Sequence, residues 1–147
     1  MRLRDVLESR RHAVCTVSVD GTVLAAVTSM RAAGTTACVV IGEGGPVGIF
    51  TAGDLMRCVQ EGGLLVDMPV RQVMSQSPLV AGVDDQALAA ADHMMRRGVH
   101  QLPVMDGGAV AGVLRLADLA AAVIDGLQGE RLTLEEYIAD LHAARDD

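Results

Sequence analysis

The chain has 147 residues, half of them apolar, and a formal charge of −7. That length predicts one compact body with a sizeable core. The acidic balance, with one Phe, one Tyr and no Trp, excludes a general nucleic-acid partner, which would call for a basic stripe or aromatic stacking platforms.

The N-terminus, Met1-Arg2-Leu3-Arg4-Asp5, turns charged before any signal-like stretch develops. Cys15-Thr16-Val17-Ser18-Val19 is a short β-type run closed by the turn pair Asp20-Gly21. Val23, Leu24, Val27 and Met30 then recur at helical spacing, and Gly34 ends that helix. Ala37 to Ile41 reads as a buried strand, Gly42-Glu43-Gly44-Gly45 as a turn and Val47 to Phe50 as a second strand. A helix opening near Ala52 fades at Gly62-Gly63, and the stretch from Gly62 to Pro69 reads as a linker.

The order then repeats. Leu79 to Val83 is a strand. Ala87, Leu88, Ala91, Met94 and Met95 mark a helix ending at Gly98. Leu102-Pro103-Val104-Met105 and Val110 to Leu114 are strands around the turn Asp106-Gly107-Gly108. Pro103 predicts a strand edge, or a place that something other than a strand approaches. Leu119, Val123, Ile124 and Leu127 carry the last repeat helix. Beyond Gly129, Thr133-Leu134-Glu135-Glu136 fits a capping box opening a separate short helix through about His142, with Leu134, Tyr137, Ile138 and Leu141 on one face.

At a constant spacing of 64, Val19-Asp20 meets Val83-Asp84, Leu24-Ala25-Ala26 meets Leu88-Ala89-Ala90, Met30 meets Met94, Gly34 meets Gly98, Gly48 meets Gly112 and Asp54-Leu55 meets Asp118-Leu119. This is an internal duplication. It predicts an α/β (α+β) fold of two β-α-β-β-α units packed about a pseudo-two-fold axis, with boundaries at 1–63 and 64–127 and a C-terminal helical tail at 128–147.

These residues resemble the CBS domain family, named for cystathionine β-synthase, in its tandem form. The second copy carries Val73-Met74-Ser75, Val83-Asp84, Leu88-Ala89-Ala90, Met94, Gly98, Leu102-Pro103-Val104, Gly112-Val113-Leu114 and Asp118-Leu119. The first carries Asp20-Gly21-Thr22-Val23, Ala26, Met30, Gly34, Gly48-Ile49-Phe50-Thr51 and Asp54-Leu55. The tail with Tyr137-Ile138 looks like the ending of small stand-alone members. The resemblance implies a sensor that binds an adenosyl ligand (AMP, ADP, ATP, S-adenosylmethionine or NAD) between the copies and regulates a protein partner. It also implies a homodimer, with no catalysis and no required cofactor.

The family's nucleotide signature, G-h-h-T/S-x-x-D, is matched by Gly48-Ile49-Phe50-Thr51-Ala52-Gly53-Asp54. A carboxylate at Asp54 suits a ribose diol. Thr51 and the helix start behind it suit a phosphate. The same Thr51-x-x-Asp54 also reads as a capping box. The second copy keeps Asp118 and replaces the threonine by Arg115, which reads either as a phosphate ligand or as a solvated partner of Asp118. By position, the resemblance maps adenine contacts to Leu79, Val80, His100, Leu102 and Pro103, and in the other copy to Val14, Thr16, Thr36, Cys38 and Val39. Ser75 maps to the cleft entrance. Most of these read equally as core.

Other chemistry is scarce. Three cysteines without C-x-x-C spacing make neither a disulfide framework nor a zinc site. The four histidines show no ligand spacing. Arg10-Arg11 and Arg96-Arg97 read as solvated faces or helix ends, with phosphate contact the lesser alternative. No apolar run approaches the roughly 18 residues of a membrane span, and a cytoplasmic protein without membrane contact is expected. A ligand-independent interaction scaffold with vestigial clefts is the competing expectation.

Overall fold

The computed structural model describes residues 1–10, 13–63, 67–76 and 78–146, and the side chains of all of these except 128–133 and 144–146. A short helix, α1 (Leu3–Ser9), precedes the first repeat. The repeat opens with β1 (Thr16–Ser18) and a turn closed by Gly21 N donating to Ser18 O. Thr22 Oγ1 then accepts from Ala25 N at 3.1 Å and caps α2 (Val23–Ala33). Gly34, at φ 69°, stops α2 in the left-handed region that glycine tolerates. β2 (Ala37–Gly42) and β3 (Gly45–Thr51) form an antiparallel hairpin, β1 adds to β2 in parallel, and β3 leads directly into α3 (Ala52–Gln60). A 3-10 turn (Val70–Gln72) precedes β4 (Ser75–Gln76), which pairs with β3 and completes the sheet order β1-β2-β3-β4.

The second repeat follows with β5 (Ala81–Gly82), α4 (Ala87–Arg97), β6 (Gln101–Asp106), β7 (Ala109–Arg115) and α5 (Leu116–Asp146), in the sheet order β5-β6-β7. The expected β-α-β-β-α order is present twice. Aliphatic side chains fill the cores, as the aromatic-poor composition requires. Cys15, Val23, Ala26, Met30, Cys38, Val40 and Phe50 form one core. Val83, Ala87, Ala91, Met94, Leu102, Val104, Leu114 and Leu119 form the other. A third cluster, Ala37, Val39, Ile49 and Val113, joins the repeats. Ile49 and Val113 are equivalent positions of the duplication, so the repeats meet across their pseudo-two-fold axis.

Each repeat also lends its opening segment to the other. Leu3 and Val6 of α1 are buried in the second repeat's core, whereas Val70 is buried in the first repeat's. The backbone contacts match. Leu3 N donates to Asp85 O and Ala87 N to Met1 O; correspondingly, Val70 N donates to Gly21 O and Val23 N to Met68 O. Arg4 pairs with Asp84 at 3.3 Å as Arg71 pairs with Asp20. These segments are related by a spacing of 67, because the chain from Leu7 to Cys15 is three residues longer than from Met74 to Leu79.

One expectation needs correction, and of the two readings of Pro103 the strand edge falls. The separate C-terminal helix opened by Thr133 does not exist: α5 runs unbroken from Leu116 to Asp146. A glycine inside a helix costs only about 1 kcal/mol and does not break it as proline would, so good helix formers on both sides carry α5 through Gly129. Pro103 lies in β6, the middle strand of its sheet, but β5 pairs only with Val104 and Met105. Beside Pro103 itself that side of β6 has no β5 partner, so the proline sits where no ladder donor is needed. Among the described residues no helix is long and apolar enough to cross a membrane.

Candidate functional site

The strand-to-helix junction of the first repeat faces the loop after α4 of the second. Between them lies a cavity of about 480 Å³. The first repeat supplies Thr36, Ile49, Thr51, Ala52 and Gly53. The β4 segment and the second repeat supply Ser75, Gln76, Pro78, Leu79, Arg97, Gly98, Val99, His100 and Gln101. The duplication generates a counterpart of about 200 Å³, lined by Ala13, Gly34, Thr35, Thr36, Gln101, Val113 and Arg115. Val113 and Arg115 occupy there the places of Ile49 and Thr51.

At the mouth of the larger cavity, α3 begins with a complete capping box. Asp54 N donates to Thr51 Oγ1 at 3.3 Å, and Thr51 N donates to Asp54 Oδ2 at 2.9 Å. The Thr51 hydroxyl also donates to Asp54 Oδ2 at 3.1 Å, and Arg57 Nη2 donates to Asp54 Oδ1 at 2.8 Å and to the Val73 carbonyl at 3.2 Å. Asp54, 5% exposed, is the buried charged residue among those described. Burial of a carboxylate is tolerable because both oxygens are hydrogen-bonded and a guanidinium balances the charge. Thr51, Ala52 and Gly53 present the N-terminal end of α3 to the cavity, an environment that favours anions.

The second repeat solves the same junction differently. Arg115 Nε donates to Asp118 Oδ2 at 3.0 Å, and Arg10 Nη1 lies 3.9 Å from Asp118 Oδ1. Arg115 is half-exposed, so its guanidinium serves both Asp118 and the smaller cavity's wall.

The residues singled out in the sequence divide by place. Thr51, Ser75, Leu79, His100 and Thr36 line the larger cavity, and Thr36 and Arg115 the smaller. Val80 and Leu102 line a third hollow of about 270 Å³, with Asp85, Gln86 and His93. Asp54, Asp118, Pro103, Val14, Thr16, Cys38 and Val39 line none of these three. Cys38 is buried in the first repeat's core, with Cys15 Sγ 3.0 Å from its own Sγ, and Val39 is buried where the repeats meet. Burial, followed by the neighbouring Cys15 thiol, pushes the Cys38 thiol well above the usual thiol range.

The cavity also recruits Gln76, Pro78 and Gln101, which the sequence did not single out, and Arg97, which it read first as a solvated face or helix end. Arg97 carries the most chemistry. Its repeat counterpart is Ala33, so the duplication gave no hint; its place in the last turn before Gly98, facing the cleft, was the available signal.

A family model, "CBS domain", matches residues 3–61 and again 70–125. An uncharacterized protein of Chlamydia muridarum is 36% identical over 129 residues; the match covers 82% of this chain and 38% of that protein, so the chain spans little more than a third of this relative's length. Among solved structures, the CBS domain NE2398 superimposes with a TM-score of 0.72 at 25% identity, over 84% of this chain and 98% of that one. The CBS domain protein PAE2072 from Pyrobaculum aerophilum, solved in complex with AMP, superimposes with a TM-score of 0.69 at 20% identity, over 80% and 89%. Two matched segments on two equivalent folds make this chain a member of the CBS domain family, with its domains in tandem.

Proposed function

We propose that the chain is a regulatory module that takes an adenosyl ligand into the larger cleft and, by bridging the repeats, changes the surface offered to a protein partner. The cleft carries this reading. Its volume of about 480 Å³ falls within the roughly 300–1,000 Å³ usual for small-molecule sites, and both repeats build its walls. Ile49, Pro78, Leu79 and Val99 give a purine apolar walls. Thr51, the start of α3 and the Arg97 guanidinium suit phosphate. Asp54 reaches a ribose by exchanging the Thr51 hydroxyl for a sugar hydroxyl, keeping its Thr51 N and Arg57 bonds. Ser75 and His100 add polar groups to the same lining. The AMP complex of a protein with the same fold supports the ligand class. The smaller cleft, walled by Arg115, suits a more anionic ligand than the Thr51 cleft. A cytoplasmic homodimer belongs to this reading; Leu24 and its repeat equivalent Leu88, both exposed, offer it an apolar face. No catalysis is part of it.

One observation favours the scaffold reading: Asp54 and Asp118 are already held by their own helix starts and arginines. Thermal melting with AMP, ATP, S-adenosylmethionine and NADH separates the two. A ligand at 100 times its dissociation constant adds about 2.7 kcal/mol, roughly 5–10 °C for a chain of this size. Asp54→Ala should lower the ligand-free melting point and abolish that shift. Absence of a shift with all four ligands overturns the sensor reading.

A further inference from the structure

The distal part of α5 lies open to solvent from Leu134 to Ala143. Leu119 and Ala122 are buried against the second repeat, but every residue from Leu134 to Ala143 is exposed. The apolar side chains of this projecting stretch continue a seam that starts nearer the body. Ile124, Leu127, Leu134, Ile138 and Leu141 are each about half exposed or more, at 53%, 58%, 62%, 50% and 49%. Their spacing is a heptad, with Ile124 and Ile138 at a and Leu127, Leu134 and Leu141 at d.

We propose that this seam is one strand of a parallel two-stranded coiled coil formed with a second copy of the chain. A seam repeating every 3.5 residues fits another helix with the same repeat, and in a parallel coiled coil Ile at a with Leu at d favours two strands. Length points to the same occupant. Among the described helices none other exceeds 11 residues, so only a second α5 matches the 31-residue span. Stability requires it too. α5 carries Gly126 and, on its projecting part, Gly129, and glycine weakens a helix that tertiary packing does not support. Both glycines fall at outer register positions, c and f, away from the seam. This pairing is independent of any ligand in the cleft.

Cysteine cross-linking of the full chain tests it, because Cys15, Cys38 and Cys58 are all buried. Leu134→Cys, at d, should form a disulfide-linked dimer under mild oxidation, whereas Glu136→Cys, at the outward f position, should not. Leu141→Glu combined with Ile138→Glu should weaken dimerisation at least tenfold by sedimentation. Equal cross-linking at 134 and 136, or none at 134, overturns the proposal. So does a wild-type chain that stays monomeric with the α5 helix signal intact.

Discussion

Pro103 stands in the second repeat where Val39 stands in the first, and the exchange removes one sheet hydrogen bond. Val39 N donates to the Cys15 carbonyl at 2.9 Å. The equivalent carbonyl belongs to Leu79, and proline has no amide hydrogen to offer it. β5 is correspondingly short, beginning only at Ala81. Leu79 is released from the ladder and lines the larger cavity instead. This exchange adds to the differences between the two clefts.

Restoring the donor should close that difference. In Pro103→Val, the new amide should become protected in hydrogen exchange, and AMP affinity measured by calorimetry should fall as Leu79 is drawn toward the sheet. The reverse change, Val39→Pro, leaves the Cys15 carbonyl without its donor and should cost about 1–3 kcal/mol, read as a lower melting temperature. An unprotected amide at 103 would contradict this account.

Two equivalent glycines should tolerate alanine unequally. A Cβ at Gly48 would lie 2.4 Å from Met74 Sδ and 2.9 Å from the Ser75 carbonyl oxygen. At Gly112 it would meet only the end of Leu7, with Cδ2 at 2.7 Å. A leucine tip can rotate away, but a strand carbonyl cannot. Overpacking costs about 1–3 kcal/mol; Gly48→Ala should fall at the top of that range and Gly112→Ala below it, by urea denaturation.

The exchanged opening segments make a spatially distinct prediction. Leu3 is fully buried in the second repeat, so Leu3→Ala should cost about 2–5 kcal/mol. The loss of protection in hydrogen exchange should concentrate at Leu102, Val104 and Leu114 rather than in the first repeat. Val70→Ala, a smaller truncation, should reverse the pattern and loosen Val40 and Phe50.

Alkaline pH should destabilise the chain through Cys38. Its thiol is held neutral in the fold, so between the ordinary thiol value of about 9.0 and the raised native value the unfolded chain loses a proton that the folded chain keeps. The contribution is complete below about pH 9 and declines as the pH rises above it. Cys38→Val should flatten that decline in melting temperature; an unchanged alkaline slope would count against it.

Much of this architecture was legible because the duplication wrote it twice. Gly34 and Gly98 end their helices in the left-handed region, and both strand pairs around Gly42–Gly45 and Asp106–Gly108 are hairpins, as the paired signals indicated. The exchanged segments were hidden because their spacing is 67, not 64. The length of α5 was hidden because Thr133-Leu134-Glu135-Glu136 satisfies a local capping rule, whereas good helix formers on both sides of Gly129 continue the helix. Arg97 read first as a solvated face because its counterpart in the first repeat is Ala33. For Thr51 and Asp54 the two sequence readings, cap and ligand site, share the same atoms. The capping bonds are present in the structure.

The reciprocal loan of opening segments bears on how this protein is divided. Cleaving the backbone between Gln60 and Met68 would give two fragments, each carrying a tongue whose groove lies on the other. Such halves should be poorly folded alone and should reassemble when mixed, behaving as complementary pieces of one molecule.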